Sequence, residues 1–162
     1  MNYTLELCKI IPTLVVACIT AYIAFEQCKT ARAKLKLDLY NKRFSIYESV
    51  LKLYQATWSK DYERMELLSF EFLKSFRESK FLFDKKDGSI YEILSKIQQN
   101  NAAILGYEEL LYKEINGEVT DKDKKEALQK YALVNRAGFE KNLIDLEKEI
   151  DKYLYFKSIN GT

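Results

Sequence analysis

Sixteen consecutive residues, Ile10 to Phe25 (IIPTLVVACITAYIAF), carry no charge, and no other feature restricts what the chain can fold into as much. A helix needs about 20 mostly apolar residues to cross a membrane core, with roughly 17 as the lower limit. Extending the run back through Leu5 and Leu7 reaches that length, with Glu6 at the headgroups and Lys9 snorkelling towards them. Pro12 lies in the first turn of the run, where its missing N–H is tolerated. Tyr22 and Phe25 sit near the far end, where aromatic side chains favour an interface. Three alternatives compete. A cleaved secretory signal needs a basic leader and an A-x-A-like site; here Lys9 is the only basic side chain before the run, and Ala21 and Ala24 are one residue too far apart. Val15-Val16-Ala17-Cys18 loosely resembles a lipoprotein cleavage site, but membrane-like sequence continues past Cys18. The third alternative is a buried helix of a soluble protein. The run fits an uncleaved anchor best.

Lys29, Arg32, Lys34 and Lys36 come directly after the anchor, with no acid between Glu26 and Asp38. Under the positive-inside rule they place the C-terminal domain in the cytoplasm and the short N-terminus outside. Contact with anionic lipid headgroups is expected of them. The expected division is a transmembrane anchor at 1–28 and a cytoplasmic helical domain at 29–162. A net charge of +2 argues against a nucleic-acid binder built on bulk charge. Cys8, Cys18 and Cys28 all lie in or beside the anchor, which leaves no disulfide framework and no zinc spacing. Histidine is absent, and with it the commonest general base and metal ligand. No cofactor and no metal are expected.

Beyond the anchor the apolar residues recur at helical spacing. Leu37, Tyr40, Phe44, Tyr47, Leu51, Tyr54 and Trp58 alternate steps of 3 and 4, a continuous seam widened by Leu35, Ile46, Val50 and Leu53. This predicts one helix from the anchor to about Thr57. Ser59, with Asp61 and Glu63 after it, predicts the start of a second helix (60–83) with the stripe Tyr62, Met65, Ser69, Phe72 and Phe76. Asp84 to Gly88 is a loop. Ser89-Ile90-Tyr91-Glu92 fits a capping box at the head of a third helix (89–116). That helix carries Ile90, Ile97, Ile104 and Leu111 every seven residues, with Leu94 and Leu105 beside them and Asn101 as a register-setting polar contact. Asn116-Gly117 marks a C-cap, and Thr120 to Asp123 an N-cap for a fourth helix (121–157). Its markers are Leu128, Ala132, Phe139, Leu143, Leu146, Ile150 and Tyr153. The aromatic run Tyr153 to Phe156 is expected to dock and Asn160 to Thr162 to fray. Strand-like alternation is absent. The expectation is an all-α fold: an N-terminal transmembrane helix continuing into a cytoplasmic antiparallel helical bundle or coiled coil.

Three short blocks resemble a pattern in uncharacterised bacterial single-pass membrane proteins. They are Leu37-Asp38-Leu39-Tyr40-Asn41-Lys42-Arg43-Phe44 with Ile46-Tyr47-Glu48, then Lys80-Phe81-Leu82-Phe83 with Ile90-Tyr91-Glu92-Ile93-Leu94, and the closing Tyr153-Leu154. The resemblance implies the anchored helical architecture and a bacterial inner-membrane location. It implies no activity.

A search for chemistry finds no phosphate loop, dinucleotide-type glycine cluster or nucleophile elbow. Glu63, Glu66, Glu108, Glu109, Glu147 and Glu149 read as ordinary outer-face charges. The tyrosines, twelve in all, read as core-edge packing with hydroxyls reaching solvent. Asp38 and Arg43 are expected to fix the first helix against a partner helix. With Tyr40, Phe44, Tyr47, Tyr54 and Trp58 they make up the candidate interaction or packing residues. The expected function is a membrane-tethered, non-catalytic helical module whose partners are membrane lipid, an unidentified protein and a further copy of itself, with no nucleic acid. The alternative is a membrane-acting effector or accessory component of a bacterial antiviral or abortive-infection system.

Overall fold

The computed structural model describes residues 3–59, 61–83, 88–118 and 121–154, with the side chains of the first helix described from residue 12 onward. These residues form four helices, α1 (Tyr3–Ala56), α2 (Tyr62–Leu82), α3 (Ser89–Ile115) and α4 (Lys122–Leu154), and no strand. The expected Thr120 cap, the loop residues 84–87 and the tail from 155 onward lie outside the described residues. Two compact units divide the chain, one reaching Leu39 and the other beginning at Tyr40.

In the first unit α1 runs through Pro12 without a break. Every described side chain from 12 to 39 is exposed except the half-buried Glu26. Pro12–Ala56 contains a window long and apolar enough to cross a membrane, and none of that window is buried. The Thr20 hydroxyl donates to the Val16 carbonyl at 2.7 Å and the Thr30 hydroxyl to the Glu26 carbonyl at 2.9 Å, so both are satisfied inside the helix.

In the second unit the rest of α1 packs with α2, α3 and α4 as an antiparallel bundle. Residues early in one helix meet residues late in the next: Tyr47 with Glu147 and Tyr54 with Phe139 between α1 and α4, Tyr62 with Tyr112 and Phe76 with Tyr91 between α2 and α3. Between α3 and α4, Ser89 meets Glu149 and Glu108 meets Arg136. The core is built from Ile46, Val50 and Leu53 of α1, Met65, Phe72 and Phe76 of α2, Ile90, Leu94, Ile97 and Ile104 of α3, and Phe139, Leu143 and Leu146 of α4.

The α1 core stripe therefore differs from the expected seam. Of the four residues expected to widen it, Ile46, Val50 and Leu53 are buried and Leu35 is exposed, while in the seam itself Leu37, Phe44 and Trp58 are exposed and Tyr40, Tyr47, Leu51 and Tyr54 only half-buried. Both stripes have 3-4 spacing and lie side by side on one helix. The branched aliphatic side chains fill the closed interior. The longer aromatic ones take the edge, where a hydroxyl stays wet.

Two caps also differ from expectation. Ser59 does not start α2, because its hydroxyl donates to the Ala56 carbonyl at 2.8 Å and helps close α1. The α2 N-cap is Asp61, whose carboxylate accepts the Arg64 N–H at 3.0 Å from an extended backbone position. Ser89 is not the α3 N-cap either. Gly88 takes that position with no side-chain bond, and the Ser89 hydroxyl instead donates to Glu149 of α4 at 3.1 Å. The Asn116-Gly117 C-cap forms as expected. Glu118 N–H reaches the Lys113 carbonyl and Gly117 N–H the Glu114 carbonyl, both at 3.1 Å, with Gly117 at φ +90.

Candidate functional site

α1 spreads the sequence-predicted residues over several environments. Lys29, Arg32, Lys34, Lys36 and Asp38 are all exposed. Tyr40 stacks on Phe44 (centroids 6.3 Å apart, planes 5° apart), and Phe44 in turn tilts against Tyr47 at 6.0 Å. The Tyr47 hydroxyl donates to Glu147 at 2.9 Å. Burial, then that bond and the carboxylate's charge, raise the Tyr47 pKa above its ordinary value.

Arg43 lies inside a cluster. Its Nε donates to the Leu82 carbonyl at 2.9 Å, and its guanidinium sits 4.9 Å from the Tyr153 ring centroid and 5.8 Å from that of Phe83. The two rings meet edge-on at 5.2 Å. Burial is the larger influence and lowers the Arg43 pKa, while Tyr153 acts the other way. The three separated blocks of sequence (Arg43, Leu82-Phe83, Tyr153) thus converge on one contact. Arg43 fixes α1 to both α2 and α4.

Midway along the bundle Asn101, 5% exposed, donates from Nδ2 to the Ser69 hydroxyl at 2.9 Å, and Ser69 donates onward to the Met65 carbonyl. This is the register contact expected of Asn101. Its Oδ1 is buried without a partner. A second amide network joins α3 to α4. Asn100 donates to Asn135 at 2.9 Å and accepts from Asn142 at 2.8 Å. Gly138 makes room for it, since a Cβ there would stand 2.8 Å from Asn100 Nδ2.

The most site-like region lies where α2 begins and α3 ends. A pocket of about 360 Å³ is lined there by Tyr62, Tyr107, Glu108, Leu111, Tyr112 and Arg136, among others. Glu108 is not an outer-face charge. It is 6% exposed and ion-paired with Arg136 of α4. Trp58 covers the Arg136 guanidinium at 5.7 Å, and Tyr54 meets Trp58 edge-on at 6.3 Å and Phe139 at 5.5 Å. Arg136 Nε is buried without an acceptor. Tyr62 tilts against Tyr112 at 5.0 Å. Burial first, then Glu66, raise the Tyr62 pKa. A guanidinium does not exchange its proton near neutrality, so this ion pair is suited to recognition rather than proton transfer. Among the described residues no three of His, Cys, Asp and Glu gather to hold a metal ion.

A signal for this pair was present in the chain. Ile97, Asn101, Ile104, Glu108 and Leu111 are spaced 4-3-4-3, and Ala132, Arg136, Phe139, Leu143, Leu146 and Ile150 are spaced 4-3-4-3-4. Glu108 and Arg136 occupy core-facing positions that a search for apolar residues alone passes over. Compared with known protein families, curated proteins and solved structures, the chain matches none.

Proposed function

We propose that this chain is a membrane-tethered helical interaction module. α1 crosses a bacterial cytoplasmic membrane once, the Lys29–Lys36 cations lie at anionic headgroups, and the bundle is presented on the cytoplasmic side. One observation carries this reading. A single helix holds two apolar segments of opposite kind: a window with no buried residue, and the core stripe Ile46, Val50 and Leu53. Water does not tolerate the first segment bare, and a bilayer covers it without a protein neighbour. Leu67, Phe70 and Phe81 on α2, and Tyr131, Leu133 and Val134 on α4, remain exposed and offer surface for a protein partner or a further copy. The anchor's Thr20 hydroxyl is satisfied by its own backbone, which favours a passive span over a polar seam through the bilayer.

The test pairs topology with anchor replacement. Cys28 should react with a membrane-impermeant maleimide only after lysis. Exchange of residues 10–25 for an unrelated apolar span should leave location unchanged, and induction of either form should leave the membrane potential intact. Depolarisation by the native chain that the exchange abolishes would overturn the tether and establish the membrane-acting effector. Labelling of Cys28 in intact cells would reverse the orientation.

A further inference from the structure

The bundle carries two exposed stripes that fit each other but not themselves. We propose that copies of this chain associate head to tail, the outer face of α2 in one lying against the α1–α4 face of the next. This deepens the interaction-module reading and rests on its membrane tether for the common direction of the copies. The first stripe runs along α2. Leu67, Phe70, Lys74, Arg77 and Phe81 are spaced 3-4-3-4, which puts them on one helix face, and all are exposed, Phe81 to 86%. The second stripe lies across α1 and α4. Phe44, Leu51 and Trp58 recur every seven residues on α1, exposed at both ends and half-buried in the middle. On α4, Ala137, Glu140, Ile144 and Glu147 are spaced 3-4-3 and all exposed. The Tyr47–Glu147 bond and the Trp58–Arg136 contact hold the two helices side by side along this face.

Length, direction and charge agree between the two. Leu67 and Phe81 are fourteen residues apart, as are Phe44 and Trp58, which is about 21 Å along each helix. Arg43 bonds the Leu82 carbonyl, so Phe44 and Phe81 share the end of the bundle that α1 enters. Trp58 and Leu67 share the other end, either side of the α1–α2 turn. Copies anchored in one membrane point the same way. Side by side, they bring Phe81 of one to Phe44 of the next, and Leu67 to Trp58. Arg77 then stands one turn in from the entry end, as Glu147 does beside Tyr47, and Lys74 follows between Glu147 and Glu140. Among the described residues Lys74, Arg77 and Glu140 form no ion pair, so their charges face a partner. Pairing α2 with the α2 of another copy would instead set Lys74 and Arg77 against themselves, which like charges oppose. A head-to-tail contact leaves one face of each kind open, so it extends into a ring or a row.

The test crosslinks the full chain in the cells that express it. In a background with Cys8, Cys18 and Cys28 changed to Ser, Phe81→Cys and Phe44→Cys are placed on chains with different tags, co-expressed and treated with a short bismaleimide. A doubly tagged product is expected, and Leu67→Cys with Trp58→Cys should give one too. Phe44→Cys with Leu67→Cys, at opposite ends, should not. Adding Lys74→Glu/Arg77→Glu to every chain should cut the yield at least about tenfold, and so should Glu140→Lys/Glu147→Lys. Placing the first charge pair only on the Phe81→Cys chain and the second only on the Phe44→Cys chain should restore it, because an acidic α2 stripe then meets a basic α4 stripe. Folded, membrane-bound chains without a doubly tagged product would overturn the proposal. So would a product from Phe81→Cys chains alone, or a charge-swapped mixture that stays unlinked. Where Phe44→Cys does not fold, the Leu67 and Trp58 pair decides in the same way. Product from chains found in the soluble fraction would sustain this surface while refuting the membrane tether, so the two readings fail separately.

Discussion

Replacing Arg43 should loosen the bundle at the point where the three sequence blocks meet. Arg43→Ala removes a charge-assisted hydrogen bond to the Leu82 carbonyl and the guanidinium's contacts with the Tyr153 and Phe83 rings. A hydrogen bond to a charged group contributes about 1.5–3 kcal/mol. A partly exposed cation–ring contact adds about 0.5–1 kcal/mol. Against this stands the burial of the guanidinium, which opposes its charged form, and the Leu82 carbonyl can turn to water once Arg43 is gone. The net loss should be about 2 kcal/mol, or about 8 °C in Tm for a bundle of this size at about 4 °C per kcal/mol. Arg43→Lys keeps the charge but not the planar fork and should lose about half as much. Thermal and urea melts of the full chain in micelles, read by far-ultraviolet circular dichroism and Trp58 fluorescence, measure both. A double-mutant cycle with Tyr153→Leu should return a coupling of about 1 kcal/mol. If Arg43→Ala melts within about 0.5 kcal/mol of the parent, or the cycle shows no coupling, the cluster does not fasten α1 to α4 as described.

Three further outcomes are expected from the packing. Gly138→Ala gains about 1 kcal/mol of helix propensity, yet its Cβ would stand 2.8 Å from Asn100 Nδ2; the variant should melt below the parent, and adding Asn100→Ala should turn the same change stabilising. Ser69→Ala strands the buried Asn101 amide and should cost about 1–3 kcal/mol in urea unfolding. Coupling it with Asn101→Leu should recover most of that loss, and a double variant no more stable than Ser69→Ala would contradict the contact. Tyr47 has its folded pKa raised above the ordinary 10.0, so its contribution is complete below that pH and fades as pH climbs through the folded value. The parent should lose stability above about pH 10 more steeply than Tyr47→Phe, and parallel profiles would refute the Glu147 link.

Much of this architecture is legible because helix periodicity survives in each segment. The four helices and the Asn116-Gly117 cap follow from spacing and turn chemistry alone. The Asn101 contact was foreseeable too, because an amide at a seam position has to find a partner, here Ser69. What the sequence hid was rotation about each helix axis. In α1 an aromatic stripe and an aliphatic stripe have the same spacing, and only closure of the bundle decides that Ile46, Val50 and Leu53 go inside. Glu108 and Arg136 hid for a related reason: each is charged, and its burial depends on a partner 28 residues away along the chain. Ser59 and Ser89 are competent caps by composition, but nearer acceptors, the Ala56 carbonyl and the Glu149 carboxylate, claimed their hydroxyls.

The central claim is that the exposed apolar window of α1 faces lipid while the bundle folds without it. Its most direct test places arginine at Val16 and Ile19, both more than half exposed. Each arginine near the centre of a span costs about 2.5–3.5 kcal/mol of insertion. The native chain should remain with membranes through an alkaline carbonate wash. The Val16→Arg/Ile19→Arg chain should move to the soluble fraction with its helical content and Arg43-dependent melting preserved. A native chain released by carbonate, or a double variant that loses its folded bundle, would contradict the claim, because the window would then belong to a protein core and not to a membrane.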